Sequence, residues 1–126
     1  MKFQPDITEG VNLITRQEPS QVWVGGSPFG HSLLVPWIGD VRIWPVASLA
    51  ALAQAHFELI LALQPELVIL GSGPRMRFVS ATLLRPLIDR RIGVEMMDTP
   101  AACRTYNVLA SEGRAVVAAL LLESPD

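Results

Sequence analysis

The chain has 126 residues, enough for one domain and too few for two. Half of them are hydrophobic and only 17% are charged, which points to a well-buried sheet or a sizeable contact surface. The formal net charge is −2, without the basic excess that nucleic-acid binding requires.

Cys103 is the one cysteine, so an internal disulfide is excluded and a reducing compartment fits. The start, Met1 to Asp6, has neither an apolar h-region nor transit-peptide character. The charge-free run from Ala115 to Leu122 falls far short of the ~20 residues of a membrane helix. These features predict a cytoplasmic, bacterial protein forming a single domain over 1–126.

Residues 1–10 read as irregular, with Phe3 and Ile7 available to pin the segment to the body. Val11–Thr15, Val22–Val24, His31–Val35 and Val41–Trp44 are strand candidates, with Ser27–Gly30 as turn material. Gly39-Asp40 suits a two-residue hairpin turn with glycine first. From Ser48 to Leu63 alanines and leucines recur at helical spacing, apolar almost all round; the regular part begins either at Ser48 or nearer Ala53. Leu67–Leu70 has the apolar run of a central parallel strand.

Ser80–Arg91 reads as a second helix that either starts late or kinks at Pro86. Ile92–Met97 is a strand. A fully punctuated helix follows: Thr99 as N-cap, Pro100 in the first turn, Gly113 at the exit. Arg114–Leu122 closes the chain as a strand. A β-rich first third followed by an α-β alternation predicts an α/β protein with right-handed crossovers onto one sheet.

Two turns fall where open α/β sheets bind ligands, outside the carboxyl ends of strands. Gly71-Ser72-Gly73 follows one strand and Asp98-Thr99 follows another. If those strands are parallel neighbours, both turns open on one crevice, with helix N–H groups aimed into it. Arg75, Arg77 and Arg104 would then add charge for a small anionic ligand such as a phosphate or carboxylate. A purely structural turn is the stronger reading by about three to one, since the stretch fails both phosphate fingerprints: Met76 replaces the third glycine of one, and no Lys-Ser/Thr completes the other.

Asn107, a poor helix former inside a helix, is expected to tie a neighbouring loop or, less often, to touch a ligand. Cys103 near a helix start invites a nucleophile, but neither His31 nor His56 is placed by the sequence to serve it. Two histidines without a carboxylate–cysteine cluster make no metal site. Glu95 and Asp98 read as solvated positions rather than a carboxylate pair. Trp23, Trp37 and Trp44 are expected to pack on hairpins, with an exposed partner surface as the minority option.

Phe57-Glu-Leu, Pro65 to Gly73, Ile92 to Thr99 and Ala101 to Arg114 resemble a small family of unknown function. It includes mitochondrial respiratory complex I assembly factor three and the adipogenesis-associated Mth-domain protein. The likeness covers nearly the whole chain and is densest from Leu67 to Leu121. It implies a three-layer α/β fold, a central mixed sheet flanked by helices, with an additional N-terminal antiparallel β layer. It implies no established catalytic activity, no catalytic residues and no cofactor. Its mitochondrial members act as assembly factors that contact other proteins.

A non-enzymatic interaction protein with an unidentified protein partner is therefore the leading expectation, with an apolar patch that includes Trp23 or Trp37. The alternative is a small-molecule or anion site formed by Gly71, Ser72, Gly73, Arg75, Arg77, Asp98, Thr99, Arg104 and Asn107. The apolar run Leu59–Leu63 suits either core or a homo-oligomer interface.

Overall fold

A computed structural model describes residues 10–123. The first third forms strands β1 (Ile14–Glu18), β2 (Gln21–Val24), β3 (Ser27–Phe29), β4 (Leu33–Pro36) and β5 (Arg42–Ile43). Helix α1 (Gln54–Leu61), β6 (Leu67–Gly71), α2 (Arg85–Ile88), β7 (Gly93–Met97), α3 (Thr99–Ser111) and β8 (Val116–Leu120) follow in the expected alternation.

The central five-stranded sheet has the order β5-β4-β8-β6-β7. β8, β6 and β7 run parallel, whereas β4 pairs antiparallel with β8 and β5. β6 and β8 are covered on both faces, which is why their sequences, LVILG and VVAAL, are continuously apolar rather than alternating. On one face Phe57, Ile60, Leu84 and Leu87 of the α1–α2 side pack with Trp44, Val68, Leu70, Val117 and Ala119. On the other, Ala102, Cys103, Tyr106 and Ala110 of α3 share a core with Val22 and Val24 of the small sheet β1-β2-β3 and with Val35, Ile69 and Ala118. The result is the three-layer α/β arrangement with its extra N-terminal β layer.

Several boundaries differ from the sequence expectation. The first strand is Ile14–Glu18 rather than Val11–Thr15; Val11 makes a single bridge to Ile38. Ser27–Phe29 is a strand, because Gly25 and Gly26, both at positive φ, have already completed the turn. Pro28 is tolerated there because β3 is an edge. The β4–β5 connection spans 37–41 instead of two residues, since the Trp37 N–H stays on β8 through the Val116 carbonyl.

The first helix forms only from Gln54, after a 3₁₀ turn at Leu49–Ala51. Its start is held by His56, whose Nδ1 accepts from the Ala53 N–H and whose Nε2 donates to the Pro45 carbonyl. Within its apolar run Ile60 is buried and Leu59 is exposed. The second helix shrinks to Arg85–Ile88 because Pro86 fits only a first turn. Phe3 and Ile7 lie outside the described residues.

Candidate functional site

Parallel pairing of β6 with β7 places the two expected turns side by side at the sheet's C-terminal rim. The cap of α3 is Asp98, not Thr99: the Asp98 carboxylate accepts from the Ala101 N–H at 2.8 Å. Both residues suit the role, and the extended backbone of Asp98 decides it. Thr99 is thereby released for a longer-range contact. Its hydroxyl accepts from the Gly73 N–H (2.8 Å) and donates to the Leu121 carbonyl (3.1 Å), joining the β6 turn, α3 and the end of β8. The Thr99 N–H donates back to the Gly73 carbonyl at 2.8 Å.

This closeness explains both glycines. A Cβ on Gly71 would lie 2.9 Å from Thr99 Oγ1, 3.0 Å from Thr99 Cα and 3.1 Å from Ala102 Cβ. Gly73 has φ +104, and a Cβ there would meet Arg77 Nη2 at 2.8 Å. Ser72 Oγ accepts from the Arg77 N–H (3.0 Å), with the carbonyls of Arg75 (2.8 Å) and Met97 (3.1 Å) in reach of its proton.

Arg77 Nη2 donates to the Ser72 carbonyl (2.6 Å) and to Glu123 Oε2 (2.8 Å), which also accepts from the Leu49 N–H (2.9 Å). Burial pushes the Glu123 carboxyl up, but the Leu49 N–H and the Arg77 guanidinium outweigh it and hold its pKa below the usual carboxylate value. Arg77 Nε is buried without a hydrogen-bond partner among the described residues.

The rim thus brings together Gly71, Ser72, Gly73, Arg77, Asp98 and Thr99. Beside it lies a cleft of about 200 Å³ walled by Pro19, Pro74, Pro100 and Leu121, with Gln17 and Glu123 as its longer polar side chains. The N–H groups of Gly73, Thr99, Ala101 and Ala102 all have protein acceptors. Arg75 is exposed and makes no ion pair among the described residues; its part in the rim is the carbonyl near Ser72.

Arg104 and Asn107 line a different depression, with Ile14, Thr15 and Arg16. Asn107 ties a strand there, β1, rather than a loop. Cys103 is buried, and that burial pushes its thiol up to about 12, with Arg104 pulling weakly the other way. Among the described residues no group of three His, Cys, Asp or Glu could hold a metal ion.

Leu121 and Glu123 are rim residues that the sequence reading missed. Their partners lie 22 and 46 residues away, beyond any local spacing signal. Trp44 closes the β4–β5 hairpin, its N–H donating to the Ser32 carbonyl, and its ring is buried under α1 with Nε1 donating to the His56 carbonyl. Trp23 is partly covered by Arg16, and Trp37 leans on the core. Among the described residues Phe78 is the most exposed large apolar side chain, at 76%, followed by Ile43, Val108 and Ile38, the last directly after Trp37. Among the described residues no helix is long and apolar enough to cross a membrane.

The fold is that of a Mth938-like α/β domain. A solved Bordetella pertussis protein described as a Mth938-like domain matches with a TM-score of 0.83 at 30% identity, covering 98% of this chain and 94% of that one. A Bordetella parapertussis crystal structure matches with a TM-score of 0.85 at 36% identity, covering 90% and 98%. The chain belongs to the family described as "Protein of unknown function (DUF498/DUF598)", whose sequence profile matches residues 14–121. Among curated relatives, NADH dehydrogenase (ubiquinone) 1 alpha subcomplex assembly factor 3 of Bos taurus is 33% identical over 124 residues, 88% of this chain. The chain spans 66% of that relative's length.

Proposed function

We propose that this chain is a non-enzymatic protein-interaction domain of the assembly-factor kind, acting in a bacterial cytoplasm. The kinship with an assembly factor supports that reading, and one observation carries it: Phe78, on the loop between β6 and α2, is largely exposed to solvent. An exposed aromatic side chain is the type of anchor that dominates interface energetics. Affinity capture from the native host with the intact chain and with Phe78→Ser, quantified by mass spectrometry, tests it. A protein retained by the first and lost by the second supports the reading; identical capture profiles overturn it.

A second reading is a small-molecule or anion site at the crevice of Gly71, Ser72, Gly73, Arg75, Arg77, Asp98 and Thr99, with Arg104 and Asn107 at its flank. The unpartnered Arg77 Nε and the neighbouring cleft favour it. The occupied N–H groups and the Glu123 carboxylate weigh against it. Stabilisation by phosphate or citrate in a thermal-shift assay, abolished in Arg75→Ala/Arg77→Ala, would establish it. No stabilisation would remove it.

A further inference from the structure

The sheets leave their edges in unequal states. On β1, the main-chain groups of Ile14 are taken by Asn107. β3 carries Pro28, which has no N–H to offer. β5 is only two residues long. β7 is the five-residue edge of the central sheet.

Its register settles which groups face outward. The Gly93 N–H donates to the Glu66 carbonyl and the Met97 carbonyl accepts from the Ser72 N–H, so Gly93, Glu95 and Met97 bond inward to β6. Val94 and Met96 therefore turn their N–H and C=O groups away from the sheet, and no other main chain meets them among the described residues. Unpaired donors and acceptors on an edge template an added strand.

We propose that β7 docks an extended segment of a partner protein by antiparallel strand addition, with a lysine or arginine of that segment opposite Glu95. This deepens the interaction reading and rests on it. In such a pairing Val94 and Met96 occupy the hydrogen-bonded positions, and Glu95 falls at the intervening non-hydrogen-bonded position, where facing side chains come closest. Glu95 is exposed and has no ion-pair partner among the described residues.

The same geometry disfavours one way of pairing two copies, the register centred on Glu95. Two β7 strands paired about a two-fold axis at Glu95 would match Val94 with Met96 in both directions but set the two Glu95 carboxylates face to face, a destabilising pair. Phe78 adds an apolar contact beside the edge. It adjoins Val79, whose N–H meets the Met96 sulfur at 3.3 Å.

The test uses the intact chain and synthetic seven-residue peptides of alternating Thr and Val with Lys, Glu or N-methylated neighbours at the centre. At about 1 mM, the Lys-centred peptide slows amide exchange at Val94 and Met96 and binds about tenfold tighter than the Glu-centred one. N-methylation of the two residues flanking the lysine abolishes binding. Glu95→Lys, a surface change that leaves the fold intact, reverses the peptide preference. Unchanged exchange at Val94 and Met96, an unaltered preference in Glu95→Lys, or a β7-paired dimer in sedimentation at neutral pH overturns the proposal. If the Phe78-dependent partner survives while these fail, the interaction reading stands and strand addition at β7 does not.

Discussion

Asn107 holds both main-chain groups of Ile14: its Oδ1 accepts from the Ile14 N–H and its Nδ2 donates to the Ile14 carbonyl, each at 2.8 Å. A helix side chain thus does for the β1 edge what a neighbouring strand would do. It also fastens the small sheet to α3, so the N-terminal layer and the helix form one core. Asn107→Ala leaves two part-buried main-chain groups unpaired and is expected to lower stability by about 2–3 kcal/mol, read from the urea midpoint. Asn107→Asp keeps the acceptor but turns a second carboxylate oxygen against the Ile14 carbonyl, and should cost at least as much.

The Thr99 hydroxyl is the knot of the C-terminal rim, joining Gly73 to Leu121. Thr99→Val preserves shape and removes both bonds, at an expected cost of about 2 kcal/mol, while Thr99→Ser retains most of the stability. Gly71→Ala drives a methyl group against the Thr99 backbone and Ala102, for a loss of about 1–3 kcal/mol. Thermal unfolding followed by circular dichroism measures all three.

The Arg77–Glu123 pair gives a pH signature. The folded pKa of Glu123 lies below its ordinary 4.5, so the pair's stabilisation is present above that value and is lost as pH falls through the depressed one. Glu123→Gln should therefore melt lower than the parent chain at pH 7, and the two curves should converge as pH drops below 4.5. Glu66, also depressed, chiefly by its bond to Arg114, is common to both proteins and cancels in the comparison.

Cys103 should be inert in the folded chain. It is buried against the α3 core, and a thiol pushed up to about 12 supplies almost no thiolate at neutral pH. Labelling with a disulfide reagent at pH 7.5 is expected only at the rate of opening, becoming fast in denaturant.

Much of this architecture was legible in the chain because its signals are local. The apolar runs at Leu67 and Val116, Pro100 in the first turn of α3 and Gly113 at its exit each act within one element. The rim was legible in outline for a topological reason: neighbouring parallel strands end on the same side of a sheet. Its chemistry was not. Asp98 and Thr99 are both competent caps, and only the fold shows that Thr99 is needed by Gly73 and Leu121 instead. The ion pair of Arg77 was not legible, because Glu123 lies 46 residues away. Leu83, Leu84, Leu87 and Ile88 repeat at helical spacing, yet Pro86 confines the regular helix to a single turn.

The account depends most on the apolar anchor beside β7. Its most direct test is the dissociation constant of the captured partner for the intact chain and for Phe78→Ser, by isothermal titration calorimetry at matched melting temperatures. At least a tenfold weakening in the variant is the predicted result, in line with the loss of a central aromatic anchor. Equal constants for the two proteins would contradict it.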